Sequence, residues 1–228
     1  MSRSTRCRDL PARLLTFCLL TICLPIMLLG QPARSDEAGD FDFYVLALSW
    51  SPTYCKQEGQ NASRHQCDVS NAFRFVVHGL WPQYERGYPE SCPGAPQRID
   101  RRIAVSMEDI MPSHNLVFHQ WRKHGTCSGL PPEEYFDLTR RAYGKITVPG
   151  VFRTLDKPGK SAPATVEKAF RLANSGLSEN GMAVTCDRGE LEEVRICLTR
   201  DLEFRACREV DRTGCRSGKL TVPPPRPR

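Results

Sequence analysis

Across its 228 residues the chain has no internal repeat, no long low-complexity tract, no internal linker and, beyond residue 30, no long apolar run. With 40% hydrophobic and 25% charged residues, these absences exclude disordered, collagen-like and polytopic membrane proteins. They leave one globular domain, at most two small ones. Charge of one sign is scarcer than it first looks. Lys and Arg outnumber Asp and Glu by 32 to 26, a formal +6. However, residues 1–35 hold five of the arginines (Arg3, Arg6, Arg8, Arg13, Arg34) and one acid (Asp9), leaving 27 basic and 25 acidic residues and a net of +2. Bulk charge therefore argues for no anionic partner, and any such partner must be recognised locally.

What is abundant is cysteine, 11 residues, which points to an oxidising compartment. The odd number resolves at the same cut. Basic residues, an apolar core from Leu14 to Gly30 and small residues at Ala33 and Ser35 have the order of a secretory signal peptide over residues 1–35. A retained membrane anchor is the competing reading, disfavoured by Pro25 and by the polar residues that follow. Removing the segment discards Cys7, Cys18 and Cys23 and leaves eight cysteines, an even number, in a chain expected in the periplasm or outside the cell. Eight cysteines permit 105 pairings, so counting alone selects none.

The remainder reads as a single α+β domain over residues 36–221, with a proline-rich, frayed tail over 222–228. Strands are expected at Phe41–Trp50, at Phe73–His78, where Gly79 and Pro82 mark a turn, and in short antiparallel segments from Met182 to Cys207. Helices are expected between Asp109 and Gly125, from Pro131 toward Lys145, and after Ser161. The architecture is thus a central antiparallel sheet flanked by helices and stapled by disulfides.

Three of the five histidines lie in two short segments, His78-Gly79-Leu80-Trp81-Pro82-Gln83 and Phe118-His119-Gln120-Trp121-Arg122-Lys123-His124. On a helix, His119 and Lys123 form one stripe and Gln120 and His124 an adjacent one. Histidines beside a lysine, with no evident nucleophile, suit RNA cleavage. A base deprotonates the ribose 2'-hydroxyl, an acid protonates the leaving 5'-oxygen, and cations stabilise the phosphorane. DNA lacks that hydroxyl and is excluded. A zinc site would want His-Glu-x-x-His, whereas His119 and His124 are five apart with no glutamate between them, so neither metal nor cofactor is expected. Cys127 as a nucleophile is disfavoured by the even cysteine count.

Trp50-Ser51-Pro52-Thr53-Tyr54-Cys55, HGLWP at His78 to Pro82 and HxWxKHGTC at His119 to Cys127 together resemble the ribonuclease T2 family of secreted endoribonucleases. The resemblance implies His124 as general base and His78 as general acid, giving a 2',3'-cyclic phosphate and then a 3'-phosphate. It also implies His119 on phosphate, Lys123 on the phosphorane and Trp81 stacking on a base. Gln83 and Trp121 are expected to face the substrate, single-stranded RNA, with little base preference. The family's pairing would join Cys55 to Cys67, Cys92 to Cys127, Cys186 to Cys215 and Cys197 to Cys207, in a monomer free of the membrane once the leader is cut. One departure is Gln120, where the family usually carries glutamate. Its alternative consequence is a weakened or inactive RNA-binding relative.

Overall fold

A computed structural model describes residues 36–225. The expected signal peptide, residues 1–35, lies outside the described residues, as do residues 226–228. In chain order the elements are β1 (Phe43–Trp50), α1 (Ser51–Glu58), α2 (Arg64–Cys67), β2 (Phe75–Gln83), α3 (Arg101–Ser106), α4 (His114–Lys123) and α5 (Pro132–Gly144). There follow α6 (Gly150–Arg153), β3 (Gly159–Ser161), α7 (Pro163–Ala173), β4 (Met182–Asp187), β5 (Glu190–Leu198), α8 (Arg208–Arg212) and β6 (Leu220–Val222).

The sheet runs β2-β1-β5-β6-β3, with β4 paired to β5. It is antiparallel except where Glu190 of β5 meets Thr221 of β6 in parallel register. Strand β1 lies between β2 and β5, and its residues are buried on both faces. That is why it reads as an almost unbroken apolar run instead of an alternation. On one face α4 and α5 pack against β2. Helix α5 starts with Pro132 and the acids Glu133 and Glu134, a sequence suited to a helix N-terminus. Its buried Tyr135 donates a hydrogen bond to Leu80 O at 2.7 Å, which ties the helix to the strand carrying His78.

Among the described residues, four disulfides join Cys55 to Cys67, Cys92 to Cys127, Cys186 to Cys215 and Cys197 to Cys207. Two expectations need correcting. Strand β2 does not end in a turn at His78 but runs through Gly79 and Pro82 to Gln83. It is an edge strand, so the N–H that Pro82 lacks costs no central ladder bond. Nor is residue 222 part of a frayed tail, because it ends β6. Val222 is buried opposite Gly159, and Pro223 O accepts the Trp50 indole N–H at 2.8 Å. Proline loses a donor but keeps its carbonyl, and here the carbonyl is what the core uses.

Candidate functional site

His78 owes its orientation to an irregularity in the sheet. The β1–β2 register steps from Ala47 opposite Gly79 to Leu48 opposite Val77, so His78 is the extra residue of a β-bulge. A bulge bends the strand and re-aims one side chain. Here it turns His78 toward β5, where Nδ1 meets Oε1 of Glu193. Glu193 is 3% exposed. Its Oε2 accepts from Arg195 Nε at 2.9 Å, and Ser49 of β1 donates to Oε1 at 3.3 Å. The next residue, Gly79, can carry no side chain, because a Cβ there would collide with the Gln120 amide and the Trp81 indole.

The second group of residues comes from α4 and its end. Ser113 caps the helix by accepting from Leu116 N. At the other end His124 leaves helical geometry at φ −122°, while its N–H still bonds Gln120 O at 2.9 Å. Gly125 then packs so closely under Trp121 that any Cβ would strike the indole. The disulfide from Cys127 to Cys92 and the bond from Ser91 N to Lys123 O at 2.8 Å fasten this end to the loop after β2.

The two stripes read from the helix differ in depth. His119 and Lys123 sit on the wet side. Gln120 and His124 adjoin the buried face made by Val117 and Trp121, with Gln120 at 1% and His124 at 7% exposure. All four line one cleft of about 390 Å³ with His78, Trp81, Gln83, Tyr88 and Arg195. Tyr84, also near the first block, is buried in the core. The Lys123 ammonium lies 3.3 Å from a Glu90 carboxylate oxygen.

Trp121 does not reach this cleft. It is fully buried, rests on Tyr135 with ring centroids 5.8 Å apart, and donates its indole N–H to Pro96 O at 2.6 Å. It follows Val117 by one turn and so belongs to the core face, which corrects its assignment to substrate. Trp121→Phe should lower stability by roughly 1–3 kcal/mol through lost volume and a lost hydrogen bond. The KM for RNA should stay within about threefold of the parent, a result that steady-state kinetics beside thermal melts would check.

Trp81 connects the two histidines. Its ring stacks on His124 (centroids 5.3 Å, 29°) and meets His78 edge-on at 5.3 Å. The Arg195 guanidinium lies 5.3 Å from the ring centroid. The indole N–H donates to Gln120 Oε1 at 2.7 Å. Position 120 therefore works here as a hydrogen-bond acceptor that orients the indole, and an amide oxygen does this without charge.

The electrostatic settings diverge across the cleft. Burial, reinforced by the charges of Lys123, His78 and His119, pushes His124 down to about 3, so its imidazole stays neutral well into the acid range. Its Nδ1 is buried without a hydrogen-bond partner among the described residues, leaving Nε2 for proton exchange. His119 is also lowered, first by burial and then by Lys123, Arg122 and His78. For Glu193, burial alone would raise the carboxyl, but the hydrogen bond and charge of His78, with those of Arg195, outweigh it and hold it at about 2.

The His124 shift carries a stability signature. As pH falls below the ordinary histidine value of 6.5, the unfolded chain binds the proton first, so stability is lost from there down to about pH 3. Thermal unfolding should fall across that window, and His124→Leu should flatten the slope. Parallel slopes in the two proteins would contradict the buried, neutral imidazole.

Comparison with known proteins identifies the family and the fold. The Ribonuclease T2 family model matches residues 41–207. A ribonuclease of Aeromonas hydrophila is 38% identical over 169 residues, 72% of this chain and 75% of the relative. Among solved structures, an RNase-related protein from Calystegia sepium superposes with a TM-score of 0.67 at 21% identity, covering 85% of this chain and 100% of that one. A variant of RNase MC1, an enzyme of bitter gourd seeds, in complex with 5'-UMP gives 0.62 at 21% identity, covering 79% and 97%. At such identities the structures show the fold. Sequence reading found the cleft's histidines, lysine and tryptophan, and it missed Glu193 and Arg195. They lie more than a hundred positions from His78 along the chain, and their sole signal was a glutamate at a strand position that is otherwise buried.

Proposed function

Because the chain belongs to the ribonuclease T2 family, we propose that it is an endoribonuclease that cleaves single-stranded RNA by attack of the ribose 2'-hydroxyl on the adjacent phosphate. The observation that carries this reading is the contrast between two histidines on one cleft. His124 is held neutral, ready to accept the 2'-hydroxyl proton. His78, against the Glu193 carboxylate, is placed to deliver a proton to the departing 5'-oxygen. His119 and Lys123 stand on the wet side of the same cleft, where they face the phosphate and the charge the phosphorane develops. The 2',3'-cyclic product is opened by water with the two histidines exchanging roles. Tyr88 offers a π-face to a base without demanding its identity, and Trp81, with His124 stacked on it and Arg195 over its ring, meets the base in the proposed stack by rearrangement of that contact.

The same reading makes the protein a monomeric, exported enzyme. Four disulfides suit an oxidising compartment. Gln120 does not turn the reading toward an inactive relative, because the bond it accepts from Trp81 orients the indole without charge. In a chelator, the purified chain should digest single-stranded RNA and leave DNA intact. A chelator-sensitive activity, or equal cleavage of DNA, would reject the proposal.

A further inference from the structure

We propose that Glu193 is a positioning residue for this cleavage, holding His78 with Nδ1–H toward the sheet and Nε2 toward the cleft and supplying a negative charge that position 120 does not. The inference rests on the proposed RNA cleavage. It starts from three neighbouring strands, each contributing one part of a relay. His78 comes from the bulge in β2, Ser49 from β1, and Glu193 with Arg195 from β5, with Ser49 and Glu193 directly opposite in the ladder. Strands β2 and β5 flank β1, so their backbones are about 10 Å apart. The bulge lets a side chain cross that distance.

The carboxylate is tightly defined. One oxygen faces His78 Nδ1 and the Ser49 hydroxyl, and the other takes Arg195 Nε and Nη2, each at 2.9 Å. A charge that deep is costly unless paired, and Arg195 already pairs it. The bond to His78 is therefore more than a repair of Glu193's own burial. It gives an imidazolium in the cleft a fixed counter-charge, and it assigns the ring one tautomer when neutral. The titratable side chains of His119, Lys123 and His124 line the same cleft as His78, from α4 and its end. Tyr54 and Glu58 of α1 and Glu192 of β5 line the depression on its other side. Of these groups, Glu193 is the one hydrogen-bonded to the ring. At position 120, by contrast, the side chain is engaged with Trp81. The carboxylate acting on the site's histidines thus stands on the sheet instead of on the helix.

The test is Glu193→Gln, isosteric but uncharged, assayed on a dinucleotide substrate from acid to alkaline pH. The kcat should fall on the order of 10²-fold with KM little changed. The alkaline limb of the kcat/KM profile should move toward acid, because the proton donor has lost its counter-charge. Glu193→Asp should recover part of the loss, whereas adding Gln120→Glu to the glutamine variant should not. A merely structural pairing with Arg195 would lower the melting temperature and leave the pH profile in place, and that outcome overturns the proposal. If Glu193→Gln does not fold, the imidazole nitrogen shifts of His78 in the parent chain decide. Protonation on Nδ1 in the neutral ring supports the relay, and protonation on Nε2 overturns it. That readout stands even if the parent chain cleaves no RNA, which would instead remove the proposed function.

Discussion

Replacing His124 by alanine should lower kcat/KM for RNA by on the order of 10³-fold, and His78→Ala should do the same, since in the proposed mechanism each removes a group that moves a proton in the transition state. The double variant loses little beyond either single one. A base without its acid, or an acid without its base, already leaves the reaction dependent on solvent, and groups acting as a unit are far from additive. The two variants should differ in stability. His124 is buried under Trp81 with a nitrogen that has no hydrogen-bond partner among the described residues, so its truncation exchanges a polar burden for a cavity. His78, half-exposed, takes one of Glu193's partners away when truncated, while Arg195 and Ser49 still hold the carboxylate. Steady-state kinetics on a defined dinucleotide, with melting curves for each variant, check both statements. Multiplicative losses in the double variant would mean that the two histidines contribute independently to the barrier and do not act as a unit.

The second large effect concerns the bond from Cys92 to Cys127. It closes a segment of 35 residues, and removing such a cross-link costs roughly 3–4 kcal/mol in the chain-entropy account. For a domain of this size that is a fall in melting temperature on the order of 10 °C. Replacing Cys55 and Cys67, which close 12 residues, should cost less. The larger difference is functional. The Cys92–Cys127 bond clamps the turn after His124 to the loop whose Ser91 bonds Lys123 and whose Glu90 approaches the Lys123 ammonium. Cys92→Ser with Cys127→Ser should therefore raise KM as well as lower the melting temperature, whereas the Cys55 and Cys67 pair should move only the latter. An unchanged KM in the first double variant would make the clamp purely structural.

Much of this site was legible because its parts are contiguous in the chain. HGLWP places a histidine and a tryptophan on one strand, and the second block places His119 and Lys123 one helical turn apart. Three things were not legible, each for a physical reason. The bulge at His78 resembled a turn, because glycine and proline punctuate turns far more often than they sit in an edge strand. Trp121 stood among polar residues, and only the packing of α4 shows that it shares the core face with Val117. Glu193 belongs to a strand with several charges, and nothing local distinguishes the one that lies opposite Ser49 of β1 and meets the side chain from the bulge. Its role appears when three strands are laid side by side. The end of the chain was misjudged for a related reason: composition reports how prolines behave alone, not that the core offers the Trp50 indole to a proline carbonyl.

The most direct measurement of the central claim uses one RNA oligonucleotide with a single favoured cleavage point and its twin carrying one 2'-deoxynucleotide on the 5' side of that bond. The account predicts that the first is cut to a 2',3'-cyclic phosphate that converts to a 3'-phosphate, with a 5'-hydroxyl on the other fragment, and that the twin resists at that bond alone. Cleavage of the twin at the same bond, or a 5'-phosphate on the product, would contradict attack by the neighbouring hydroxyl and with it the roles given to His78 and His124.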